Sequence, residues 1–229
     1  MTQTTADTAL ARLYSLADPQ RAEEMRAYHK IDRPYLGIPV PQVEELVAEW
    51  RGGASVDDRV ALAAALWESG IHEAMVAAAK LLTQARLRPD EAAWELIAGW
   101  AEGFDGWAVA DHASSAGARR LVADPARLDR VEGWTTHPNM WTRRAALVMT
   151  LPWTRLNHPS ADEVAVRHRV LGWAAGYVED RDWFIQKSIG WWLRDLSKHD
   201  AELTRAWVEE HGGRLKSFAR KEALRHLAG

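Results

Sequence analysis

The chain has 229 residues, 47% of them apolar and 27% charged, which is the composition of a soluble globular protein long enough to bury a sizeable core. It has no cysteine, so disulfides, thiolate nucleophiles and cysteine-ligated metal clusters are excluded. Net charge is −3, but the balance shifts along the chain: 14 Lys and Arg against 21 Asp and Glu up to Asn139, then 15 against 11 from Met140 onward. A chain divided in this way can present a basic face in spite of its acidic average.

Helical periodicity dominates from the start, and no segment alternates for long enough to argue a strand. The first 30 residues hold two helices. The start "MTQTTADTAL" lacks the basic and apolar regions of a signal peptide, which sets the expectation of a cytoplasmic protein. "PQVEELVAEW" opens on Pro41, a favourable first-turn residue, and puts Val43, Leu46, Val47 and Trp50 on one face; Gly52 and Gly53 end it. Ser55 followed by Asp58 reads as a capping signal for "VDDRVALAAALWES". Its run Val60 to Trp67 is far too short to span a membrane. "IHEAMVAAAKLLTQ" follows Gly70, and Pro89 opens "PDEAAWELIAGWAEG". Further helices are predicted at about 107–121, 124–133, 139–151, 162–178, 182–198, 200–211 and 215–227. Successive pairs give a unit of roughly 30 to 45 residues, the range of HEAT-type repeats. The predicted fold is all-α: one HEAT-like domain over residues 1–229, forming a curved, right-handed solenoid with a concave face suited to an extended polymer.

Several chemistries are unsupported. "HEAMV" at His72 begins like a zinc-protease helix, but Val76 stands where the second histidine belongs. There is no glycine-rich phosphate loop and no G-x-S-x-G elbow. What remains is a set of aromatic and charged residues on helices. Trp107 and Asp111, four apart, share a face within a small, apolar stretch. "NMWTRRAAL" brings Arg143 and Arg144 ahead of an apolar run. In "DWFIQKSIGWWLRDLSK", which also carries Trp183, the residues Lys187, Trp191, Arg194 and Lys198 fall at i, i+4, i+7 and i+11. That stripe is either a phosphate-tracking face with an aromatic inside it or a core tryptophan ringed by snorkelling cations. From Arg214 onward five basic residues face one acid, Glu222.

These blocks together resemble the AlkD-like DNA glycosylases, a HEAT-like family that removes alkylated bases. "AYHKIDRPYLGIPVPQ" resembles the family's N-terminal block, "GWAVADHAS" its Trp-x-x-x-Asp helix, and "NMWTRRAAL" its Asn-x-Trp-x-x-Arg-Ala-Ala segment. "FIQKSIGWWLRDLSK" is the closest match and "FARKEALRHL" resembles the C-terminal helix; the blocks come in family order over about residues 25 to 227. The resemblance implies Asp111, Trp107 and Trp191 as catalytic residues and Arg144 and Tyr28 as DNA-binding ones; Lys187, Arg194, Arg220 and Lys221 join them from the basic stripe and C-terminal helix. Where members of the family often show Trp-Trp-Asp-x-x-Asp, Gly106 stands in place of the first Trp and Ala108 in place of the first Asp.

The implied activity is a monofunctional glycosylase that acts on cationic N3- or N7-alkylated purines, of the 3-methyladenine and 7-methylguanine type, in base excision repair. A cationic base is already a good leaving group, so the reaction calls for a carboxylate near the sugar and for no cofactor or metal. The expected partner is duplex DNA containing alkylated bases, bound by a monomer, with no membrane involved. Two alternatives stay open: a non-catalytic helical-repeat protein that binds DNA structures or a protein partner, and an enzyme specialised for a bulky adduct, for which Gly106 would leave room.

Overall fold

The computed structural model describes residues 4–227, and its described residues form 13 α-helices and short 3-10 turns without a strand. No helix among them is long and apolar enough to cross a membrane. The chain divides into two compact units, one ending at Ala123 and the other beginning at Asp124.

The first unit contains α1 (Ala6–Tyr14), α2 (Pro19–His29), α3 (Val40–Arg51), α4 (Val56–Glu68), α5 (His72–Leu81), α6 (Glu91–Glu102) and α7 (Trp107–Ala123). The capping signal at Ser55 is realised in full. The amide of Asp58 donates to Ser55 Oγ (3.1 Å), and the amide of Ser55 donates to Asp58 Oδ2 (3.0 Å). Val43, Leu46, Val47 and Trp50 are all buried on α3, as their spacing predicts. The centre of the unit is α5, which packs against α3, α4 and α7 and buries all but one of its residues. Its alanines, and the row Ala110, Ala113, Ala116 and Gly117 on α7, are small enough for the two helix axes to approach closely. α7 is therefore a core helix along one face, with Trp107 and Asp111 half-buried in its first turns and Ser115, Arg119 and Val122 exposed further along.

The second unit contains α8 (Leu128–Gly133), α9 (Met140–Met149), α10 (Ala161–Gly176), α11 (Trp183–Ser197), α12 (Ala201–His211) and α13 (Ser217–Ala223). Its central helix is α11, which packs against α9, α12 and α13. Ile185, Ile189, Trp192, Leu193 and Leu196 form a fully buried stripe at helical spacing, and the indole N–H of Trp192 donates to Thr150 Oγ1 at 3.2 Å. Gly190 allows α13 to sit close: a Cβ there would lie 2.9 Å from the carbonyl oxygen of Ala219.

Both units hold a connection with a fully buried arginine. In the first, Arg120 on α7 donates to the carbonyls of Leu87 (3.1 Å) and Gln84 and to the Asp90 carboxylate (3.1 Å). In the second, Arg167 on α10 donates to the carbonyls of Trp153 (2.8 Å) and Leu156 (2.6 Å) and pairs with Asp200 (3.3 Å). A guanidinium has five donors in a rigid fork, so one side chain can satisfy several loop carbonyls that would otherwise be buried without partners.

Candidate functional site

In the first unit the site is assembled at the N-terminal end of α7. Gly106 ends the preceding turn, its carbonyl accepting from the amide of Ala110 (3.2 Å), and Trp107 and Asp111 then follow one turn apart on a half-buried face. Tyr28, near the end of α2 and 69% exposed, meets the Trp107 ring edge to face, with centroids 6.0 Å apart at 86°. His29 lies next to Tyr28, with ring centroids 5.1 Å apart, and approaches Trp107 at 5.3 Å. Behind it lies a stack: His29 on Tyr35 (5.8 Å, 2°), His29 on His72 (4.8 Å) and Tyr35 on His72 (4.9 Å). Trp107 is thus held by a wall of rings, while its neighbour Asp111 remains partly accessible.

The wall stands on an unusual turn. The "YLGIP" segment is pinned by Glu73, which is 1% exposed and whose carboxylate accepts from the amides of Leu36 (2.9 Å), Gly37 (2.8 Å) and Ile38 (3.3 Å). Three consecutive amides converging on one anion form a backbone nest. Gly37 makes the turn possible: its φ is +77°, and a Cβ there would lie 2.3 Å from the carbonyl oxygen of Asp18. The "HE" of "HEAMV" is therefore committed to structure, His72 to the ring stack and Glu73 to the nest. Among the described residues no group of three or more His, Asp or Glu is arranged to hold a metal ion.

The departure at Gly106 also has a structural counterpart. A Cβ on Gly106 would lie 3.1 Å from Cγ1 of Ile31, so the isoleucine side chain lies where a bulkier residue would project. Beside it Arg33 pairs with Asp105 and donates to Met75 Sδ (2.7 Å). Arg33 and Asp105 line a cleft together with Ile31, Gly106 and Trp107.

Burial makes the imidazoles of this unit poor bases. The pKa of His72 is lowered to about 3, chiefly by burial and then by the nearby His29, Arg33 and His112. That of His112 is lowered to about 4, again by burial first and then by Lys80, with Asp111 and Glu44 opposing. His29 is lowered by burial and by Arg33. All three bind a proton less readily folded than unfolded, so acid favours the unfolded chain. Stability should be complete above the ordinary histidine pKa near 6.5 and decline as pH falls through 6 and 5 toward the folded values. Urea unfolding of the parent at pH 7.5, 6 and 5 should show a falling midpoint, and His72→Phe should flatten the trend. Equal parent midpoints across that range would contradict this account.

In the second unit the stripe predicted on α11 faces outward: Lys187 and Lys198 are exposed, Trp191 and Arg194 half-buried, and Trp192 rather than Trp191 is the core residue. Trp191 and Arg194 lie between two depressions. One, between α11 and α13, is lined also by Trp183, Lys187, Phe218 and Lys221. The other is lined also by Arg155, Lys198 and His199. Lys187, Trp191, Arg194 and Lys221 are therefore brought together. Arg194 is already engaged: it pairs with Glu222 and with Asp195 (3.1 Å), and Asp195 in turn pairs with Arg155 (3.0 Å). Burial and the hydrogen bonds from Arg155 and Arg194 act in opposition on Asp195, with a net lowering of its pKa. Arg220 stands apart from the groove, its guanidinium near Gly212. Arg144 is 3% exposed, its guanidinium 5.9 Å from the Trp141 ring centroid, in the setting of a framework residue of α9.

The sequence motifs do not single out His29 or Gln186, and they mark Glu73 only as part of an incomplete zinc-protease helix. His29 was legible as the neighbour of Tyr28. Gln186 lies inside the most specific motif; fully buried, it donates to the carbonyls of Val178 (3.2 Å) and Asp180 (2.9 Å) and accepts from the amide of Lys216 (2.8 Å). Part of that motif therefore serves to tie the start of α13 to α11.

Comparison with known proteins gives the family and the fold. The family described as DNA alkylation repair enzyme matches residues 9–227, and the chain belongs to that family. A solved structure titled a predicted DNA alkylation repair enzyme from Enterococcus faecalis is 21% identical, with a TM-score of 0.77 over 93% of this chain and 97% of that one. The structure of AlkD2 from Streptococcus mutans is 19% identical, with a TM-score of 0.66 over 98% of this chain and all of that one (100%). At these identities the likeness is one of fold. Among curated proteins the sequence finds no match.

Proposed function

We propose that the protein is a DNA glycosylase that hydrolyses the N-glycosidic bond of cationic N3- or N7-alkylated purines in duplex DNA. The observation that carries this reading is the partly accessible Asp111 carboxylate one turn from Trp107, whose ring is fixed by Tyr28 and His29, in a chain of the DNA alkylation repair enzyme family.

Alkylation at N3 or N7 gives the purine a positive charge. As the bond to C1′ breaks, the base takes the bonding electron pair and leaves neutral, and the positive charge passes to the sugar as an oxocarbenium ion. Asp111 stabilises that developing cation, because a fixed anion in a site of low dielectric acts without solvent reorganisation. Water then adds at C1′ and loses a proton, for which the same carboxylate is the acceptor. Trp107 and Tyr28 offer π-faces to the cationic lesion or the sugar, each contact contributing ~0.5–2 kcal/mol. No general acid is required, and the low pKa values of His72 and His112 suit a site in which neither supplies a proton at neutral pH. We assign Trp191, Lys187, Arg194 and Lys221 to holding DNA, with the outward stripe of α11 as support, and Arg220 to a more peripheral phosphate contact. Arg144 supports this surface from within α9.

The deciding measurement is release of free 7-methylguanine or 3-methyladenine from methylated duplex DNA, with an abasic site left in the strand. A protein that binds the duplex but frees no base is the non-catalytic binder instead. The Ile31 side chain beside Gly106 is the observation favouring that second reading, because it closes space at the departed position.

A further inference from the structure

We propose that the groove between α11 and α13 is a stacking site for a nucleobase that has left the duplex stack, so that the second unit recognises unpaired DNA independently of alkylation. The proposal rests on reading this surface as one that holds DNA, but not on catalysis.

Trp183 is 47% exposed, and no other tryptophan of the described residues is among the exposed large hydrophobics. It begins α11, where Asp182 caps the helix by accepting from the amide of Phe184 (2.8 Å), and it is braced edge to face by the Phe184 ring at 4.9 Å. On the groove side it stacks at 27° with Phe218 of α13, with centroids 5.6 Å apart. The close approach of the two helices at Gly190 holds this aromatic pair in register. Leaving a large indole in water without a partner forgoes the stabilisation its burial would bring, and here its position is fixed by neighbours that do not cover it.

The chemistry of the groove selects its occupant. Its lining carries Lys187, Arg194, Lys221 and Arg225 against a single carboxylate, Glu222, which is shared between Arg194 and Arg225. The ligand is therefore anionic. Its walls are the faces and edges of Trp183, Phe218 and Trp191, so the ligand is also flat and aromatic. The Lys187 ammonium lies 4.8 Å from the Trp183 ring centroid on an exposed, flexible side chain. A nucleotide satisfies both demands at once: its base replaces the ammonium on the indole, and its phosphate receives the displaced ammonium. An amphipathic protein helix would answer the apolar walls but would need acidic residues at the rim, and it would not require planar rings. Aromatic platforms flanked by cations are the common device for binding unstacked bases, at ~1–3 kcal/mol per base.

The test uses the full-length protein and undamaged DNA, so that no excision intervenes. Two labelled duplexes are compared, identical except for one extrahelical thymidine. The parent is expected to bind the bulged duplex about ten-fold more tightly than the paired one, which corresponds to ~1.4 kcal/mol of stacking. Trp183→Ala and Phe218→Ala should abolish that preference while keeping paired-duplex affinity within about two-fold of the parent; Trp183→Phe should retain most of it. Lys187→Ala should weaken binding to both. Far-UV circular dichroism and thermal melting confirm that each variant is folded. A parent that binds both duplexes equally overturns the proposal. So does a folded Trp183→Ala that loses affinity for both in the same proportion, which would make the indole a general contact, and so does competition for the groove by an acidic peptide but not by thymidine oligonucleotides. Base release from methylated DNA is read separately: excision without a bulge preference overturns this inference alone, and a bulge preference without excision overturns only the glycosylase assignment.

Discussion

Asp111→Asn is expected to slow release of 7-methylguanine by about two to three orders of magnitude while leaving affinity for the methylated duplex near that of the parent. The substitution keeps the shape of the side chain and its position one turn below Trp107, and removes only the negative charge. Loss of one preorganised electrostatic partner at a developing charge costs ~2.7–4 kcal/mol of barrier, which sets the size of the effect. Affinity is spared because in the ground state rings hold the lesion and cations hold the DNA phosphates, whereas the charge on the sugar exists only near the transition state. Single-turnover kinetics with saturating enzyme isolate the chemical step from product release. The purely structural role predicts another pattern: a lowered melting temperature and a rate loss that tracks unfolding. An Asp111→Asn variant as fast as the parent would remove Asp111 from the chemistry altogether.

Glu73→Ala should be the most destabilising change near the site. It leaves the amides of Leu36, Gly37 and Ile38 without their acceptor in a buried turn. A buried donor left unsatisfied costs ~1–3 kcal/mol, and entry of water into the vacated space offsets part of that, so a net loss of ~3 kcal/mol is expected. In a chain of this size that lowers the melting temperature by roughly 6–12 °C. Glu73→Gln keeps one acceptor oxygen and should lose less than half as much. The consequence for function runs through the rings: the turn sets Tyr35, Tyr35 stacks on His29 and His72, and His29 abuts Trp107. Excision by Glu73→Ala should therefore fall even at temperatures where circular dichroism reports a folded chain. A melting temperature within about 1 °C of the parent would refute the nest as a source of stability.

Much of this molecule is legible in its sequence. Each predicted helix has its counterpart, because each carries a local signal: Ser55 and Asp58 at a start, Gly52 and Gly53 at an end, Val43 to Trp50 along a face. The family was legible in five blocks because a motif such as "FIQKSIGWWLRDLSK" combines a buried stripe and an outward stripe that few other demands would produce together. Local spacing also placed Lys187, Trp191, Arg194 and Lys198 on one face of α11, since helix geometry alone decides that.

What spacing could not decide was which polar residues face inward. Glu73, Arg120, Arg167 and Gln186 carry no sequence mark of burial; each is inside because a distant stretch of backbone offers it amides or carbonyls, and those partners meet only in the folded chain. The same holds for cations that looked alike in sequence. Arg144 is buried beside Trp141, Arg194 is paired with Asp195 and Glu222, Arg220 lies near Gly212, and Lys187 and Lys221 line the groove. The helices, their amphipathic faces and the family are legible from amino-acid order because they depend on residues within a turn or two of one another. That Tyr28, His29 and His72 wall in Trp107, that Ile31 fills the space beside Gly106, and that Trp183 and Phe218 meet across a groove follows from the packing of the folded chain. Those contacts join residues far apart along the chain, and their geometry is set by how whole helices pack.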